Sequence, residues 1–132
     1  MQVQSLRVRD VMSTTPVSIP NDLTIDDASA RMFEHSIRHL PVFESGHIVG
    51  LVSARDLAIL DSIPNVDTSK VLVEQAMTQG AHVCSPDEFL VDLIKIMVDQ
   101  KRSSAVVMEG GKLVGIVTTI DALALLLNYL EA

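Results

Sequence analysis

Aromatic side chains make up only 3% of the 132 residues, and tryptophan is absent. A hydrophobic core must therefore be assembled from Val, Ile, Leu, Met and Ala, with six methionines as soft, adaptable filling. Cysteine occurs once, at Cys84, which excludes an internal disulfide. With no secretory leader legible either, the expected compartment is the cytoplasm. Cationic residues are outnumbered, ten Lys and Arg against 17 Asp and Glu for a net charge of −7, and no basic run exists. Duplex binding depends on clustered cations neutralising phosphates, so no nucleic-acid duplex is expected as a partner, while one locally positive nucleotide pocket stays compatible. The longest strongly apolar stretch, ALALLL (122–127), falls far short of the roughly 20 residues of a membrane span, so no membrane partner is expected. Neither a P-loop nor a GxGxxG is present.

What the chain does contain is written twice. GLVSARD (50–56) returns as GIVTTID (115–121). With Met12 laid on Met77, Met32 falls on Met97, Val42 on Val107, Gly46 on Gly111 and Asp56 on Asp121, with a one-residue slip around Pro20 and Pro86. The repeats divide the chain at 1–66 and 67–132. Neither half, at ~60 residues, buries enough to stand comfortably alone. An α+β fold is expected, two β-α-β-β-α repeats packed with pseudo-twofold symmetry.

Each half opens with a segment ending in Met (VRDVM, VEQAM), read as strand or turn, followed by a polar turn. Helices are predicted from Ile25, Ala28, Met32 and Phe33, capped by Thr24 or Asn21, and over about 89–100. Hairpins follow, HLPVF (39–43) with IVGLVS (48–53) and AVVM (105–108) with LVGIVT (113–118), each turning through glycine. A last helix opens at Ala54 or Thr119.

The repeated S/T-x-x-D reads two ways. Ser53 with Asp56, and Thr118 with Asp121, have the spacing of a helix-capping box, which needs no ligand. The same place suits a nucleoside phosphate. A helix start offers free N–H groups to an anion, the hydroxyl adds a hydrogen bond, and a carboxylate one turn in accepts from ribose hydroxyls.

The stretches DVMSTTPVSI and SIRHLPVFESGHIVGLVSARDL, with their echoes EQAMTQGAHVCSP and RSSAVVMEGGKLVGIVTTIDAL, resemble a tandem pair of cystathionine-β-synthase (CBS) domains, a Bateman module, over nearly all of residues 6 to 130. The resemblance implies a stand-alone, non-enzymatic regulatory module. It would bind AMP, ADP, ATP or S-adenosylmethionine in clefts shared by the repeats and signal to a separate protein partner. Asp56 and Asp121 would hold ribose, and Ser53 and Thr118 would meet the phosphate region. Arg38 and His39 would contact phosphate, with Ser103 and Ser104 in the second repeat. The loops with Ser13, Pro16, Val17 and Ser18, and with Ala81, His82 and Val83, would shape the base pockets. The first loop is expected to share a pocket with Asp121, the second with Asp56. The pair Arg38–His39 makes the Asp56 pocket better equipped for phosphate charge. No catalytic cofactor is implied.

His35 and His39 invite a metal reading, but the helix is expected to end between them near Ser36, and no third ligand is suitably spaced, so no metal is expected. Cys84 reads as a buried thiol, and Asp26, Asp27, Asp92 and Asp99 as polar helix faces. LALLLNYL (123–130) is apolar around much of its circumference. By the resemblance it joins the helices near 54–60, 26–35 and 91–100 in a homodimer; otherwise Leu126, Leu127 and Leu130 close the module's own core. The rival functional reading is a ligand-free dimeric scaffold.

Overall fold

The computed structural model describes residues 3–14 and 17–132. After a 3-10 turn (Val3–Ser5) come α1 (Val8–Val11), β1 (Ile19–Pro20), α2 (Ile25–His35), β2 (His39–Glu44), β3 (His47–Ser53), α3 (Ala54–Asp61) and α4 (Val73–Ala76). They are followed by β4 (Thr78–Gln79), β5 (Val83–Cys84), α5 (Leu90–Gln100), β6 (Ser104–Glu109), β7 (Lys112–Thr118) and α6 (Thr119–Glu131). The fold is mixed α+β with two sheets, ordered β1-β2-β3-β4 and β5-β6-β7.

The local chemistry explains the boundaries. Thr24 caps α2, its hydroxyl accepting from Asp27 N while the Asp27 carboxylate accepts from Thr24 N and Oγ1. The helix stops at Ser36, which turns left-handed (φ 54°), so that Ile37 N reaches back to Met32 O at 3.0 Å. His35 and His39 thus lie on different elements. Lys101 (φ 55°) ends α5 in the same way, with Arg102 N on Met97 O at 2.9 Å. Both hairpins reverse through two residues of positive φ, Ser45–Gly46 and Gly110–Gly111, the requirement of a type I′ turn. Each hairpin shifts register once, between Val42 and Phe43 and between Val107 and Met108.

The chain forms two compact units, one of Val17–Ala81 and one combining residues 3–14 with His82–Ala132. The segments left open as strand or turn are short helical turns, α1 and α4. Each docks against the helix of the other repeat. Val8 N and Arg9 N donate to Glu88 O (2.9 Å) and Pro86 O (3.0 Å), and Leu90 N donates to Leu6 O (2.8 Å). In the other unit, Val73 N donates to Leu23 O (2.8 Å) and Ile25 N to Val71 O (2.9 Å). Every unit therefore contains one repeat's helix and hairpin plus the opening segment of the other. These units and the sequence repeats are different divisions of the chain.

In the Val17–Ala81 unit, Ile19, Ile25, Ala28, Met32, Leu40, Val42, Val52, Leu57 and Val73 form one buried cluster. In the other, Val8, Cys84, Leu93, Met97, Ala105, Val107 and Val117 form a second. Burying an aliphatic side chain of this size contributes about 1.5–3 kcal/mol, so α1 and α4 are held through Val8 and Val73 as well as through backbone bonds. Helix α6 has no buried residue. Leu126, Leu127 and Leu130 stay 50%, 55% and 73% exposed and do not close the core. Among the described residues no helix is long and apolar enough to cross a membrane.

Candidate functional site

Each hairpin delivers its second strand into a helix, and the candidate side chains collect at that junction. In the Val17–Ala81 unit, His39 pairs with Ser53 across β2 and β3, and Ala54 N donates to Arg38 O at 2.8 Å. Arg38, His39, Ser53 and Asp56 therefore meet at the start of α3. In the other unit Ser104 pairs with Thr118, and Thr119 N donates to Ser103 O at 3.0 Å. Ser103, Ser104, Thr118 and Asp121 meet at the start of α6.

Both capping boxes are complete. Asp56 Oδ2 accepts from Ser53 N and Ser53 Oγ, each at 2.9 Å, and Asp56 N donates to Ser53 Oγ at 3.2 Å. Asp121 Oδ2 accepts from Thr118 N at 2.8 Å and Thr118 Oγ1 at 3.2 Å. These bonds narrow what the helix starts offer to an anion. Of the first three N–H groups of α3, the first is taken by Arg38 O and the third by Ser53 Oγ, leaving that of Arg55. In α6 the corresponding amide is that of Ile120.

Sequence reasoning passed over Arg55. Its exposed side chain gives the start of α3 a second cation, where α6 has Ile120. The signal was present in the aligned stretches SARD and TTID.

Ser13 joins Asp121. Its backbone exchanges two hydrogen bonds with Ile116, both 2.9 Å, and its hydroxyl donates to Asp121 Oδ1 at 2.9 Å. In the other unit Thr78 and Gln79 pair with Leu51 and Gly50, bringing the chain toward Ala81 alongside β3. Val17 and Ser18 belong to the Val17–Ala81 unit and lead into β1, where Ser18 O accepts from the Arg31 guanidinium at 2.7 Å. His82 and Val83 belong to the other unit. Val83 opens β5 beside Val106, and His82 O accepts from Val106 N at 2.8 Å. Pro41, at the position of Val106, has no N–H to make the matching bond. Pro16 lies outside the described residues.

Cys84 is buried, and its thiol is pushed up to about 12 by burial and by the nearby charge of Glu88. A thiol so held is protonated at neutral pH and a poor nucleophile. Among the described residues no three His, Cys, Asp or Glu side chains are grouped to hold a metal ion. A depression of about 560 Å³ lined by residues including Asn21, Glu44, Glu74 and Gln79 shares no residue with the candidate set.

Comparison with known proteins matches this duplicated architecture. The CBS domain family model matches residues 8–61 and again 73–128. The chain is 34% identical over 121 residues to the L-aspartate semialdehyde sulfurtransferase of Methanosarcina acetivorans, covering 85% of this chain but spanning only 22% of that relative's length. The solved CBS domain pair of protein MJ0100, in complex with 5′-methylthioadenosine and S-adenosyl-L-methionine, is 26% identical with a TM-score of 0.77, covering 93% of this chain and 97% of that one. CBSX2 in complex with AMP is 27% identical with a TM-score of 0.74, over the same shares of the two chains. Matched twice along most of its length, and alike in fold to solved pairs, this chain belongs to the CBS domain family as a tandem CBS domain pair.

Proposed function

We propose that this CBS pair is a regulatory module that binds an adenosyl ligand, AMP, ADP, ATP or S-adenosylmethionine, and passes its state to a separate protein partner. The observation carrying this is the meeting of Arg38, His39, Ser53 and Asp56 at the start of α3, and of Ser103, Ser104, Thr118 and Asp121 at the start of α6, in a chain whose solved relatives are in complex with AMP or with 5′-methylthioadenosine and S-adenosyl-L-methionine. Asp56 and Asp121 take the ribose, Ser53 and Thr118 the phosphate region. Arg38 and His39, with Ser103 and Ser104 in their places at α6, face the phosphates. The loops carrying Ser13, Val17 and Ser18, and Ala81, His82 and Val83, shape the base pockets. The Asp56 site, with Arg38 and Arg55, suits the more highly charged ligand. A ligand shifts such a module only by its differential affinity for two arrangements.

The apolar row Ile120, Leu123, Leu127 and Leu130 on α6 is at least 55% exposed at every position and supports a homodimer in the same proposal. Analytical ultracentrifugation showing a monomer at micromolar concentration would remove that part.

A second reading, a ligand-free scaffold, is favoured by one observation: both S/T-x-x-D boxes are satisfied without a ligand. Thermal shift with AMP, ADP, ATP and S-adenosylmethionine separates the two readings, because a ligand of the native state raises Tm with concentration. Asp56→Ala and Asp121→Ala each remove a cap and lower the baseline Tm. The ligand-induced increment is therefore the quantity to read: no increment with any of the four would favour the scaffold, and an increment that survives in the double variant would take Asp56 and Asp121 out of the binding site.

A further inference from the structure

The two candidate carboxylates are not equally available. Asp56 and Asp121 spend Oδ2 on the same capping bonds. Asp121 Oδ1 also accepts the Ser13 hydroxyl at 2.9 Å, whereas among the described residues no hydrogen bond reaches Asp56 Oδ1. The difference does not come from the fold. Ser13 pairs with Ile116 as Thr78 pairs with Leu51, and the preceding Met12 and Met77 pack on Gly115 and Gly50 alike. It lies in one side chain: Ser13 directs its hydroxyl to the carboxylate, and among the described residues no matching bond runs from Thr78 to Asp56.

We propose that Ser13 is an internal competitor for ligand hydroxyls at Asp121, so that the two sites fill in order, Asp56 first. A vicinal diol donates two hydrogen bonds to a carboxylate. At Asp56 one oxygen is open to it. At Asp121 the diol must compete with the Ser13 hydroxyl, which already takes one acceptor position of Oδ1 in a charge-assisted bond from a backbone pinned at both N and O.

This inference rests on the proposed ribose role of Asp121. The test is calorimetry with AMP on the full chain and on Ser13→Ala, each also in an Asp56→Asn background that isolates the Asp121 site. Removing one net hydrogen bond should tighten AMP at Asp121 by roughly three- to tenfold, leave the Asp56 site unchanged, and give no gain in Ser13→Ala/Asp121→Asn. Unchanged or weaker binding in Ser13→Ala, with Asp121→Asn still abolishing that site, would overturn the competitor role and leave the binding proposal standing. AMP binding that ignores Asp121→Asn would overturn both. A Ser13→Cys variant, whose weaker donor keeps the side-chain size, should fall between wild type and Ser13→Ala, and equality with wild type counts against competition.

Discussion

Gly50 lies directly against Met77: a Cβ built on it would stand 2.6 Å from Met77 Sδ and 2.7 Å from the carbonyl oxygen of Thr78. Gly115 meets Met12 Sδ and Ser13 O in the same way, each at 2.8 Å. The thioether is flexible and can retreat, but the carbonyl is fixed by strand pairing. Gly50→Ala and Gly115→Ala should each destabilise by about 1–3 kcal/mol, the usual penalty for overpacking. Urea unfolding measures it, and unchanged midpoints would show that the exchanged segments are not held as tightly as drawn. Gly115→Ala should also push Ser13 off Asp121 and so share the ligand phenotype of Ser13→Ala.

The acid limb of stability should carry a contribution from the α2 cap. Asp27 is held below the usual carboxylate range, first by the Thr24 backbone N–H and then by the Thr24 hydroxyl. A depressed folded-state pKa stabilises above the unfolded value near ~3.9, and that stability is lost as pH falls through the folded value. The stability difference between wild type and Asp27→Asn should therefore be full at pH 6 and shrink below about pH 4. A difference independent of pH from 7 to 3 would contradict the cap.

Cys84 supplies a burial gauge for the second cluster. Its thiol, raised to about 12, should resist iodoacetamide at pH 8 in the native protein and react readily in denaturant. Equal rates in both conditions would place the thiol outside the core. Cys84→Ser puts a hydroxyl where the thiol is packed among apolar neighbours, and should lower Tm by several degrees.

Much of this architecture was legible in the sequence because the signals are local. Ser53 with Asp56 and Thr118 with Asp121 announce helix starts three residues wide, and Thr24 was one of two candidate caps for α2. The pairs Ser45–Gly46 and Gly110–Gly111 announce two reversals. The exchange of α1 and α4 was not legible: VRDVM and VEQAM pattern alike, and nothing within five residues says which helix each will cover. The bond from Ser13 to Asp121 spans 108 positions, and the choice between Ser13 and Thr78 matters only once both are seen against their strands. The capping boxes also show why motif and site were hard to separate, since the S/T-x-x-D spacing is satisfied by one carboxylate oxygen in each box.

Phosphate recognition should be concentrated at α3. Arg38 is exposed, and its carbonyl is fixed by Ala54 N at 2.8 Å, so its backbone is held at the helix start while its side chain reaches solvent. Exposure means solvent screening, so a single contact to a phosphate there is modest. Arg38→Ala should weaken AMP roughly three- to tenfold at low salt and leave adenosine, which lacks the phosphate, unaffected. The loss should narrow at high ionic strength. Calorimetry with AMP and adenosine at two salt concentrations reads all three effects. Adenosine weakened as much as AMP would mean that Arg38 supports the fold of the junction and does not touch phosphate.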